Sequence, residues 1–390
     1  LETEYLSTEW MEDVKFCVDK ARENDLELWI YDEDKWPSGA AGGKVSRVNP
    51  AEFTARALTM ECGKAGELAV PAKLSNEEER TVTGNSDSIM CGRNRSTDEN
   101  FMSGRNGSED LAVEETMETE FLQGVYVIQT AADGRFIKRM KEYLTYEEAA
   151  GACGVDEEIL LLRQEISGKS EWYNGLMPPD NLNPESVKTF LKLTHEHYEE
   201  VFGGSFPKEV KGFFTDEPNC CDFFSVFHEG RPWIPWSIGF TEYFIEKRGY
   251  DPQEKLPYLF FDGEGAEKIR HDYWKTVAQR FEESYMKQVY EWCDKRGLRT
   301  TGHILYENDL GYQTRVCGAA MPQLRYLHNP GIDLLGAQTD EYLTVKQCAS
   351  VAHQYERSMT ISEAYGCTGW ELDFSTQKWL GDWQFALGIT

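Results

Sequence analysis

The sequence predicts an α/β fold: a (β/α)8, TIM-type barrel lacking its first and last strands, with a β-rich subdomain inserted near the N-terminus. Three observations lead there. Helix-like and strand-like segments alternate through residues 1–50 and again through 172–390, the rhythm of a mostly parallel sheet covered by helices. Residues 51–171 break that rhythm with strand-like pieces separated by long polar stretches. With the insertion set aside, the remainder of the 390 residues has the size usual for an eight-fold barrel.

Ser7 opens an amphipathic helix that carries Trp10, Val14, Cys17, Val18 and Ala21 on one face. Leu26 to Tyr31 reads as a buried strand, running into Asp32-Glu33-Asp34 and a loop punctuated by Pro37, Gly39, Gly42 and Gly43. In the insertion, strands are expected at Ala55 to Met60, Gly124 to Gln129 and Glu158 to Gln164. Ser75 to Glu118, rich in Asn, Ser, Glu and Gly, reads as a loose polar loop. After Trp172 a helix is expected near Pro184 to Val201, capped by Asn183, then a strand at Val210 to Phe214. Helices follow near Ile238 to Lys247 and Ala266 to Lys295, the latter closed by Arg296-Gly297. Strands near Arg299 to Ile304 and Ile332 to Leu335, a helix near Thr344 to Arg357, a strand at Met359 to Ile361 and a helix over Ser375 to Leu387 complete the pattern. About six barrel strands are countable on this reading. The expectation is a fragment, because the pattern starts inside a helical unit and stops where another strand is due.

Composition excludes several partners. A net charge of -28 repels phosphate backbones and anionic lipid, so neither nucleic acid nor a membrane surface is expected. Ten cysteines in this length are too sparse for a disulfide scaffold, and none forms the paired Cys-x-x-Cys spacing of zinc sites. Buried thiols favour a cytoplasmic setting, with secretion left open. Aromatic residues reach 13%, and the 11 Trp exceed what a core alone usually takes; the aromatics read either as ordinary core or as faces that stack on the apolar faces of sugars. Asn94-Arg95-Ser96 and Asn106-Gly107-Ser108 match glycosylation sequons.

Polar residues at the C-terminal ends of parallel strands share one mouth, and several strands here end in acids. Asp32, Glu33 and Asp34 follow the first strand, as a largely solvated loop of which one member faces the site. Asp216 and Glu217 follow Phe213-Phe214, with Pro218 fixing the turn. His303 and Glu307 follow Gly302, Asp333 lies in the next strand, and Glu363 follows Ile361. Glycosidic cleavage needs such a layout: one carboxylic acid protonates the leaving oxygen, and one carboxylate activates water or attacks carbon. Glu307 fits a structural or metal-ligand role as well as a catalytic one. His303 is a candidate for a hydrogen bond to a sugar hydroxyl, whereas His195 and His197, two apart on one helix, cannot share a metal and read as structural. Calcium held by rim carboxylates is compatible with the pattern, though nothing in the spacing requires it.

At these residues the sequence resembles the alpha-L-rhamnosidases of glycoside hydrolase family 106. The matching blocks, in order, are Tyr31-Asp32-Glu33-Asp34-Lys35-Trp36-Pro37-Ser38-Gly39 with Gly42-Gly43, then Phe213-Phe214-Thr215-Asp216-Glu217-Pro218. Gly302-His303 through Glu307, Asn329-Pro330-Gly331-Ile332-Asp333, and Ser362-Glu363-Ala364-Tyr365-Gly366 through Gly369-Trp370 follow. The resemblance implies a barrel that removes a terminal rhamnosyl or similar deoxy-sugar unit from a glycan, with inversion and possible calcium dependence. Carried over residue by residue, it makes Glu217 the general acid and Glu363 the base, with Glu307 the rival. Candidate sugar contacts within the matching blocks are Asp32, Glu33, Trp36, Asp216, His303, Asp333, Tyr365 and Trp370. Two other readings stand beside it: a carbohydrate-binding barrel without catalysis, and a metal-dependent lyase or isomerase on the same fold.

Overall fold

The computed structural model describes residues 3–69, 119–220 and 231–390. Among them the strands, in chain order, are β1 (Leu28–Tyr31), β2 (Arg56–Gly63), β3 (Glu120–Thr130), β4 (Ile137–Tyr143) and β5 (Glu158–Ile166). They continue with β6 (Val210–Asp216), β7 (Trp233–Trp236), β8 (Arg299–His303), β9 (Asn329–Leu334) and β10 (Ile361–Ala364). Five of them form a parallel sheet in the order β1-β6-β8-β9-β10. The sheet is curled like part of a barrel and open at both edges. The expected strands are present as parallel neighbours, five rather than about six, with the last displaced from Met359–Ile361 to Ile361–Ala364 so that Glu363 lies within it, and the described residues do not close an eight-fold ring.

Short-range chemistry explains the boundaries. Ser7 caps the helix Thr8–Glu23 by accepting the Trp10 N–H at 3.1 Å, and Asn183 caps Pro184–Leu191 through the Glu185 N–H at 3.0 Å. Glycine permits the close approach of strands. A Cβ at Gly212 would stand 1.9 Å from the Arg299 carbonyl oxygen. At Gly302, with φ +145°, it would stand 1.9 Å from that of Thr215.

Two long helices contain a feature that hydrophobic periodicity does not reveal. Lys192–Glu196 and Glu282–Met286 are π-turns inside what the pattern reads as uninterrupted helices. They present His195 and Tyr285 to β6: the His195 ring stacks on Phe213 at 4.1 Å, and the Tyr285 hydroxyl meets the Thr215 hydroxyl at 2.9 Å. Burial lowers His195 to about 3, so it packs as a neutral aromatic, in keeping with a structural role.

The second sheet is antiparallel, ordered β4-β3-β5-β2-β7. Four of its strands come from the segment 51–171, and β7 joins from beyond it, pairing Thr59 to Arg56 with Trp233 to Trp236. A fully buried Trp236 ties this sheet to the main core, stacked on Tyr273 at 6.4 Å. The polar stretch Ser75 to Glu118 and both sequons lie outside the described residues. No described helix is long and apolar enough to cross a membrane.

Candidate active site

Parallel register delivers the acids to one mouth. Asp216 at the end of β6 is level with His303 at the end of β8, and Asp333 of β9 is level with Glu363 of β10. His303 sits at the centre, 1% exposed, with its Nε2 2.9 Å from Glu363 Oε2 and 3.3 Å from Asp216 Oδ1. Tyr31 of β1 donates its hydroxyl to Asp216 Oδ2 at 2.6 Å. Donor atoms of Asp216, His303 and Glu363 lie within 4.8 Å of one another, as do those of Glu217, His303 and Asp333. Glu217 and Glu363 therefore approach the same imidazole from different strands.

The two carboxyls feel opposite environments. Burial lifts Glu217 to about 7, overcoming the lowering pull of His303 and aided by the negative charges of Asp216, Asp333 and Glu363. Glu363 is half exposed, and the hydrogen bond from His303 holds it below the ordinary carboxylate range. Burial also raises Asp216, and takes Asp333 to about 6. For His303 burial favours the neutral ring, but the Glu363 hydrogen bond and the charges of Glu307, Asp216 and Asp333 outweigh it, raising the imidazole to about 9. The backbone at Glu217 is left-handed, φ +47°, a conformation that non-glycine residues keep only when their surroundings impose it.

Glu307 is placed differently. It is 7% exposed, and its two oxygens accept backbone N–H groups, Ile304 at 3.2 Å and Asp333 at 2.9 Å. The side chain thus ties the loop after β8 to β9 beneath the mouth, and burial lifts it to about 8. Above about pH 8, where Glu307 is ionised, Glu307→Gln is expected to lower stability by about 1–3 kcal/mol, because the amide NH2 would face a backbone donor. Chemical denaturation reads this out, and an unchanged midpoint would remove the clamp role.

Two of the three acids after β1, Asp32 and Glu33, are buried rather than part of a solvated loop. Asp32 is fully buried; its Oδ1 accepts the Ser38 hydroxyl at 2.6 Å, and Ser38 Oγ in turn accepts the Asp216 N–H at 2.8 Å. Burial holds the Asp32 carboxyl well above its ordinary range. Glu33, 2% exposed, turns into its own loop and accepts backbone N–H groups from Asp34, Gly39, Ala40, Ala41 and Gly42. Asp34 accepts the Asn174 amide at 2.8 Å.

Of the expected aromatic contacts, Trp36 is 41% exposed beside a cis bond to Pro37 and packs edge-on to Trp172 at 4.6 Å. Tyr365, left-handed at φ +67°, sends its hydroxyl to the Gln377 carbonyl at 3.1 Å. Trp370 is wholly exposed, so nothing folds against it. Trp370→Ala should leave stability within about 0.5 kcal/mol of the parent in thermal melts; a larger loss would show that the indole packs in solution. Sequence reasoning passed over Tyr31, Ser38 and Tyr285. The first two stand in the first matching block, while Tyr285, on a π-turn of a distant helix, leaves no motif.

Calcium fits these groups poorly. It takes about six to eight oxygen ligands, whereas each cluster has a His303 nitrogen as one vertex. That nitrogen is already hydrogen-bonded to Glu363 at 2.9 Å and lies 3.3 Å from Asp216.

No family model matches the chain, and no curated protein matches it. Among solved structures the chain is similar to a rhamnosidase from Novosphingobium sp. PP1Y, with a TM-score of 0.58 and 14% identity. The superposition covers 99% of this chain and 50% of that one, so the chain spans half of that protein's length. At such identity the likeness is one of fold: this is a rhamnosidase-like α/β architecture with a partial barrel.

Proposed function

We propose that the chain carries the acid–base site of a glycoside hydrolase acting on a terminal deoxy-sugar, rhamnosyl-type unit, with Glu217 as general acid and Glu363 as general base. One observation carries the reading: two carboxyls from different strand ends share one imidazole, and their surroundings push their proton affinities apart. Burial keeps Glu217 protonated up to about 7, so it has a proton for the leaving oxygen. His303 holds Glu363 ionised and half exposed, ready to take a proton from water on the opposite side of the sugar. Inversion follows if water fits between them. Glu307, with both oxygens turned to backbone donors, supports Asp333 instead of serving as the base. The rhamnosidase-like fold and the acidic, aromatic-rich composition support a neutral sugar substrate.

The test is a screen of nitrophenyl glycosides, alpha-L-rhamnoside among them, with the product anomer followed by proton NMR. Release of nitrophenol with the inverted anomer appearing first is the expected result. No turnover on any glycoside would remove the hydrolase reading.

A further inference from the structure

We propose that His303 is a positioning residue, anchored by Asp216 and Tyr31, whose imidazole aims the Glu363 carboxylate; this deepens the glycosidase reading and rests on it. The geometry leaves the ring little else to do. At 1% exposure it has no open face for a sugar, and its Nε2 is engaged by Glu363 at 2.9 Å and Asp216 at 3.3 Å. Its Nδ1 is buried with no hydrogen-bond partner among the described residues. With carboxylates only at Nε2, the proton stays on that nitrogen whether the ring is charged or neutral, so the ring donates to Glu363 in both states.

The surroundings fix the ring in turn. The Phe214 ring of β6 lies edge-on to it at 5.6 Å and is itself stacked on Tyr31 at 5.9 Å. Tyr31 holds Asp216 at 2.6 Å, so the carboxylate cannot swing away from the imidazole. The charged and titratable groups around the ring are Asp216 at the end of β6 and Glu217 just after it, Glu307 after β8, Asp333 from β9 and Glu363 from β10. All are acids. A cation amid them is stabilised by each ionised neighbour, and Glu363 has the shortest contact to it.

The proposal separates from a substrate-contact role by experiment. His303→Gln keeps a donor near the Nε2 position without the charge, whereas His303→Ala loses both. On the glycoside that the wild type cleaves, kcat should fall about tenfold in the Gln variant and about a hundredfold in the Ala variant, with KM changed less than about threefold. The acid limb of kcat/KM should move up by about one pH unit in the Gln variant, because Glu363 loses its cation. Tyr31→Phe should lower kcat by a smaller factor. A raised KM at constant kcat, or an unmoved acid limb, would overturn the proposal.

A second measurement needs no turnover. Among the seven histidines, the His303 signal in nitrogen-15 NMR is identified by its loss in His303→Gln. It should titrate above the ordinary histidine range and shift downward in Glu363→Gln. If it titrates normally and ignores Glu363→Gln, the positioning role fails even where hydrolysis is established. If no glycoside is cleaved, the hydrolase reading fails instead.

Discussion

Glu217→Gln should abolish most turnover while leaving the protein as stable as the parent, or more so. General acids contribute about 100- to 10,000-fold to rate, so kcat on a glycoside with a poor leaving group should drop by about three orders of magnitude. A nitrophenyl leaving group needs less protonation, and the loss there should be smaller. The same change removes an ionisable group from a site where burial disfavours its charge, which is why stability should not suffer. The pH dependence follows from the sign of the shift. Glu217 must be protonated to act, so kcat/KM should decline as pH rises through about 7. Glu363 must be ionised, so the acid limb should lie below the ordinary carboxylate range. Steady-state kinetics across pH check both limbs; equal loss on good and poor leaving groups would take the acid role away from Glu217.

Glu33→Ala should cost about 4 kcal/mol or more, a large share of the roughly 5–15 kcal/mol that holds a domain together. Its carboxylate accepts N–H groups from Asp34, Gly39, Ala40, Ala41 and Gly42, inside a loop shielded from water. Each buried donor left without an acceptor costs about 1–3 kcal/mol, and partial relaxation recovers some of the sum. The loop also carries Ser38, which bonds both Asp32 and the Asp216 backbone, so the loss should reach the mouth. Urea denaturation measures the effect; a cost under about 1 kcal/mol would mean that the loop keeps its shape without the carboxylate.

The parallel sheet was legible because strand-like segments alternate with helical ones, and β1 and β6 are apolar runs followed by acids. Val210 to Phe214 and Arg299 to Ile304 fall on β6 and β8 almost residue for residue. Two things were not. The π-turns at Lys192–Glu196 and Glu282–Met286 add one residue to a turn, a change that apolar spacing over a long helix averages away. The fate of the acids after β1 was hidden as well. Asp32-Glu33-Asp34 reads as hydrophilic, yet its meaning depends on backbone donors of Gly39 to Gly42 folding back over Glu33, a contact made by conformation and not by composition. For the site, strand ends identified which residues share a mouth but not which way each side chain turns. Hence Glu307 read as a rival base, although its oxygens face Ile304 and Asp333.

The tight crossing at Gly302 reaches further than local packing. With no side chain there, β8 lies close against β6, and in the curled sheet a ring on β8 touches an acid on β10, past the intervening β9. In a flat sheet those two strands would be about 9.6 Å apart, two inter-strand steps of about 4.8 Å. The reach from the imidazole to the Glu363 carboxylate thus depends on backbone curvature as well as on rotamer choice. A methyl group at position 302 would act as a wedge against Thr215, shifting Glu217 after β6 away from the imidazole on β8.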